Sequence, residues 1–212
     1  MQGTALNFSA VCCTIDFPDD SSPRIVRLHC ATKVQLLDDG RYGIYITSRE
    51  IKAIDPGTDE ENIIFKILSA PQNGYLENVI SGKFISDHFT QKDLNMKSLL
   101  YIINPSVNVY EDSVEFVVTD LSGNRAEPQR LEIKWCRIEL PQAMYEVCET
   151  EALVSLKITR GGYAADSAFI SLQVNGVSAV VGQDFSSSPS RLIQFDPGTI
   201  IFIGHSEGIF LV

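Results

Sequence analysis

The segment Gly204-His205-Ser206-Glu207-Gly208 has the G-x-S-x-G spacing of a nucleophile elbow, in which a serine on a strand-to-helix turn attacks an acyl carbon. An apolar run, Ile200 to Ile203, precedes it as a strand should. The other parts of that chemistry are missing. An elbow needs a following helix, and the triad's acid and histidine come later in such chains, whereas only Ile209 to Val212 follow Gly208. The chain therefore reads as a non-enzyme. His29 and His88 have no second ligand two to four residues away and read as surface or satisfied core histidines. Cys12, Cys13, Cys30, Cys136 and Cys148 lack the C-x-x-C spacing of a zinc or redox site and are too scattered for a disulfide scaffold. Their odd number leaves at least one thiol unpaired or paired to another chain.

At 212 residues, 44% hydrophobic and 21% charged, the chain is long enough for two sandwich-sized domains. Its net charge of -10 excludes a nucleic-acid partner, whose phosphates need a Lys/Arg surplus on at least one face. Acid excess fits plain solubility or cation binding. The opening "MQGTALNFSAVCC" has no basic residue before Arg24 and so lacks the usual charged-then-apolar form of a secretory signal. No window approaches the roughly 20 apolar residues of a membrane span. Asn7-Phe8-Ser9 is a sequon that makes Asn7 a glycan acceptor if the chain is secreted.

From Val34 onward the sequence is a series of short β-branched and aromatic runs separated by Gly, Pro, Asn and Asp, among them "GIYIT", "NIIFKIL", "LLYIINP", "VEFVVTD" and "LEIKW". Strict alternation in Val114–Val118, Leu131–Trp135 and Leu153–Ile158 is the period of half-buried strands. Helical signals are confined to Ser48–Ala53 and Lys92–Met96. Many short strands without intervening helices predict an all-β fold of antiparallel sandwiches. The domain boundary falls at Trp135-Cys136-Arg137, and Trp135 and Tyr145 read as interdomain packing. Residues 1–32, with "DFPDDSSP", read as a linker-like N-terminal segment.

Particular motifs point further. "ITSREIKAIDPGTDEENIIFKIL", "APQNGYLEN", "FISDHFTQKDLNMKSLLYIINP" and "DSVEFVVTDLSGN" before "LEIKW" make residues 33–135 resemble a CSPG repeat, the cadherin-like module of the Fras/Frem family of extracellular matrix proteins. "YEVCETEALVSLKITRGG" and "VVGQDF…RLIQFDPG" make residues 137–198 resemble the first part of a Calx-β sandwich. The resemblance implies a cadherin-like β-sandwich followed by an incomplete Calx-β sandwich, an extracellular, basement-membrane location, and a role in epithelial-mesenchymal adhesion. It implies as partners extracellular matrix or cell-surface proteins, other Fras/Frem members included. A calcium-responsive regulatory module, or a short form modulating a cell-surface receptor, is the alternative.

The same resemblance names calcium ligands. Glu149 and Asp184 match ligand positions of calcium-binding Calx-β domains, and Glu151 lies two residues on, on the same strand face. Ca²⁺ takes about six to eight oxygens, so these acids alone do not complete a site. Ordinary strand-edge solvation is their competing reading. Asp55, Asp59, Glu60 and Asp93 resemble the acids that bind calcium between cadherin modules, but Gly57 stands where the second acid of a D-x-D step belongs. Asp55 and Asp120 remain the metal candidates here, with Asp120 more simply a turn residue and Asp93 a helix cap.

Residues 199–212 depart from the Calx-β pattern, with Glu207 the one acid where a dense acidic loop is expected. The reading is a truncated or alternative terminus. A sandwich lacking its last strands exposes apolar faces and an open edge unless Ile200–Ile203 replaces a strand. The expectation is a stable 33–135 and a weak 137–212.

Overall fold

The computed structural model describes residues 21–142, 155–173, 178, 180 and 191–205. It is almost wholly β. The first part contains β1 (Arg24–Leu28), β2 (Val34–Leu36), β3 (Tyr42–Ile46), β4 (Ile51–Ile54), β5 (Ile64–Ser69), β6 (Gly74–Asn78), β7 (Lys83–Ile85) and β8 (His88–Thr90). It continues with α1 (Gln91–Asn95), β9 (Leu99–Ile103), β10 (Glu111–Thr119) and β11 (Gln129–Lys134). The second part contains β12 (Cys136–Glu139), β13 (Ser155–Gly162), β14 (Ala168–Leu172), β15 (Arg191–Phe195) and β16 (Ile201–His205).

A four-stranded sheet, β11-β10-β5-β8, faces a five-stranded sheet, β2-β3-β9-β6-β7, with the β1-β4 ribbon completing the first sandwich. All named pairings in these sheets are antiparallel. Alternation decides which side chains face inward. In β10, Val114, Phe116 and Val118 are buried while Glu115 is exposed, and Leu131 and Ile133 of β11 join them across the pair. Phe65, Phe89 and Phe116 form an aromatic cluster in which Phe65 and Phe89 stack at 4.9 Å. All three are at most 2% exposed, so each contributes about 2 kcal/mol of transfer free energy before chain entropy is counted. From the other sheet, Ile44, Ile46, Leu76, Leu99 and Tyr101 meet this cluster.

The second part is smaller. Sheets β12-β13-β16 and β14-β15 enclose Ile158, Ile193 and Phe195, with Phe202 6.2 Å from Phe195. The Asp196-Pro197-Gly198 turn forms as its residue types predict, closed by Thr199 N–H donating to the Asp196 carbonyl at 3.0 Å. Beyond it Ile201–His205 pairs antiparallel with Ser155–Thr159 of β13. The apolar tail therefore does supply a strand, and the edge of β13 is covered there.

Two local expectations need correction. Ser48–Ala53 is no helix: a turn at 48–50 leads into β4, which pairs with β1. The Glu50 carboxylate accepts from both the N–H and the hydroxyl of Thr47, as at a helix start, but these bonds close a turn and the chain then enters a strand. The linker-like reading of residues 1–32 fails from Arg24 onward. Ile25 and Leu28 of β1 pack on the core and Ala31 is completely buried. A register shift between Ile25 and Arg27 breaks the period of two, so the strand is hidden from a pattern search.

Candidate functional site

The acids of the first sandwich are placed by the turns that carry them. Asp55 follows β4 and is 7% exposed. Its two oxygens accept from the Ser21 hydroxyl at 2.9 Å and the Thr58 hydroxyl at 3.0 Å. Asp120 follows β10 and accepts from the backbone N–H of Asn124 at 2.8 Å and from the Asn124 amide at 2.7 Å. With the Asp120 N–H donating to the Asn124 carbonyl at 3.1 Å, these bonds close the turn from Asp120 to Asn124. Among the described residues, no group of three or more His, Cys, Asp or Glu side chains is arranged to hold a metal ion. Glu149, Glu151, Asp184, Asn7 and Tyr145 lie outside the described residues.

The "FTQKDLN" motif resolves into packing and capping. Phe89 enters the core, and Thr90 is the N-cap of α1. The Thr90 hydroxyl accepts from the Asp93 N–H, and an Asp93 oxygen accepts from the Thr90 N–H at 2.9 Å, a reciprocal capping box. Asp93 also accepts from the Asn78 amide and the Ser98 hydroxyl. Gln91, fully buried, accepts the Ala53 N–H and donates to Asn95. Asp93 is thus the cap its position suggests.

A second network escaped sequence reasoning. Asp112 accepts from the N–H groups of Gln72 and Asn73 and from the Tyr101 hydroxyl at 2.9 Å. Burial, with the Asp112 bond second, pushes the Tyr101 phenol far above its ordinary value. This carboxylate fixes the Pro71–Gly74 turn onto β9 and β10. Gly74 is needed there, since a Cβ would lie 2.1 Å from the Ile102 carbonyl oxygen. β10 also carries Glu111 and Glu115, and nothing in the strand's own sequence singles out Asp112 for such a role.

At the opposite end from Asp55 and Asp120, Trp135 is the one residue between β11 and β12. Its side chain is buried in the core of the first sandwich, 5.9 Å from the Tyr101 ring, so it packs within that sandwich rather than between the two. It is the Trp135 backbone carbonyl that reaches the second, accepting from Tyr163 N–H. Beside it a groove of about 910 Å³ is lined by Gln72, Tyr110, Glu111, Arg130, Lys134 and Tyr163 among others. Cys30 and Cys136, the cysteines among the described residues, are free thiols, and burial pushes the Cys30 thiol upward. His29 and His88 are exposed, and His88 pairs with Asp87 at 2.8 Å.

These features bear comparison with known proteins. A cadherin-like family model matches residues 29–138. FRAS1-related extracellular matrix protein 1 of Homo sapiens is 56% identical over 184 residues, 87% of this chain. The chain belongs to the Fras/Frem family of extracellular matrix proteins. Extracellular matrix protein 3 of Lytechinus variegatus is 32% identical over 85% of the chain. The chain spans 8% of the length of the human relative and 6% of the sea-urchin one. The crystal structure of CBD12 from CALX1.2 aligns with 90% of this chain and 75% of its own, at 10% identity and a TM-score of 0.30, a likeness too slight to argue from.

Proposed function

We propose that this segment is a structural and adhesive module of the matrix, without enzymatic activity. It binds matrix or cell-surface proteins, other Fras/Frem members among them, through sheet faces and strand edges. Its setting is the basement membrane, where it serves epithelial-mesenchymal adhesion. One observation carries the reading: the polar residues of its most specific motifs are spent inside the fold. Gln91, Asp93 and Asp112 each bond to neighbouring backbone or side chains that hold the sandwich together. Membership in a family of extracellular matrix proteins supports the same reading. No helix among the described residues is long and apolar enough to cross a membrane.

The test is solid-phase binding of the immobilised chain to recombinant Fras/Frem proteins, with albumin as control. Saturable binding is expected; signals no higher than albumin for every family member would sink the proposal.

Asp55 and Asp120 serve turns in this reading, and calcium is not required. Their hydroxyl and amide partners support it. Thermal unfolding in chelator and in millimolar Ca²⁺ checks the point, because a ligand bound to the native state alone adds about 2.7 kcal/mol at a hundredfold excess over Kd. Superimposable transitions are expected. A calcium-dependent rise would return Asp55, Asp120, Glu149, Glu151 and Asp184 to the position of ligands.

A further inference from the structure

Consecutive domains in one chain ordinarily move relative to each other unless the interface between them is large and hydrophobic. Here the connection has no slack. The first sandwich ends at Lys134 and the second begins at Cys136. The residue between them is tied on both sides: Trp135 N–H donates to the Tyr110 carbonyl, and the Trp135 carbonyl accepts from Tyr163 N–H, both at 2.9 Å. One backbone unit is thereby bonded into both halves.

Side chains complete the joint. The Tyr110 ring lies against Gly161 and Gly162, which pair with Arg137 and Cys136 across β12-β13. A Cβ at Gly162 would stand 2.5 Å from the Trp135 carbonyl oxygen and from Tyr110 Cβ, and one at Gly161 would stand 2.9 Å from the Tyr110 hydroxyl. Gly162 also has φ of +83°, a backbone region that side chains disfavour. Thr32 of the first sandwich donates to Asp166 of the second at 3.1 Å, across the same seam. Within the second sandwich, the buried Arg160 donates to the carbonyls of Tyr163 and Asp166, which holds that loop against the seam.

We infer that the two sandwiches are locked as one rigid body by the Tyr110–Trp135–Gly162–Tyr163 joint, so that Gly162 and Tyr163 hold a fixed place at the groove beside Trp135. The first sandwich lines most of that groove, and the second contributes Gly162 and Tyr163, which the joint holds in place.

Residue-resolved hydrogen exchange on the intact chain tests this, because each amide opens with its own cooperative unit. The Tyr163 amide is expected to exchange at least about a hundredfold slower than a free peptide and no faster than the β14-β15 ladder. A Tyr163 amide at the free-peptide rate, with or without a protected ladder, overturns the joint. In Tyr110→Ala, Tyr163 exchange is expected to accelerate about tenfold or more while the β10-β11 amides stay protected. Loss of β14-β15 protection in that variant would also support the inference, because the second sandwich would then depend on the joint. Unchanged Tyr163 exchange in Tyr110→Ala would overturn it.

Discussion

The first sandwich closes around its own core, while the second, over its described residues, closes around very little. In the first, a single cluster runs from Ala31 through Phe65, Tyr101 and Phe116 to Trp135, fed by both sheets. In the second, Ile158, Ile193 and Phe195 form the buried set among the described residues. Strand count alone does not make a stable sandwich. What matters is how many inward positions of one sheet find a partner from the other, because burial on both sides is what offsets chain entropy.

The largest test of this contrast is core truncation. Phe116→Ala should cost the first sandwich about 4 kcal/mol, read by urea unfolding of the whole chain. Phe195→Ala should shift only the transition of the second sandwich, which is expected to be the earlier of the two. A single transition moved equally by both substitutions would erase the distinction between the halves.

Next comes Gly74→Ala. Its Cβ would collide with the Ile102 carbonyl and the Tyr101 ring, so about 3 kcal/mol should be lost from the first sandwich alone. Thermal unfolding reads it, and a change below about 1 kcal/mol would show that the turn can move aside.

Tyr101 gives the contrast a pH signature. The phenol's folded-state pKa is raised by burial and by Asp112, so its contribution is complete below the unfolded value near 10. Above that pH the unfolded chain sheds the proton more readily, and the first sandwich should lose stability as pH rises. Tyr101→Phe should flatten that alkaline decline, at a cost of about 1.5 kcal/mol at neutral pH for the lost bond to a carboxylate. An identical alkaline slope in the variant would assign the effect to other groups.

Smallest is Thr90→Ala, which removes the N-cap of α1 and should cost about 1 kcal/mol without touching the second sandwich. Denaturant midpoints resolve a loss of that size.

Much of this molecule is written locally. Period-two runs define β10, β11 and β15, because a half-buried strand must alternate, while β3 and β5 are marked by β-branched and aromatic runs between turn residues. The capping role of Asp93 is equally local, since Thr90 and Asp93 have the spacing of a reciprocal cap. So is the Asp196-Pro197-Gly198 turn. The weak signals failed for identifiable reasons: β1 is broken by an irregular register, and β4 is short and preceded by a helix-like Thr47–Glu50 bond.

The sequence by itself determined the all-β class, the strand series and the family, since periodicity, turn chemistry and motif order are properties of neighbouring residues. Tertiary structure decided the rest, because long-range partners decide it. Asp112 became the anchor of a distant turn, and Ile201–His205 found β13 rather than open solvent. Gly162 met Tyr110, a residue far back in the chain, and nothing in its own neighbourhood foretells which ring would lie against it.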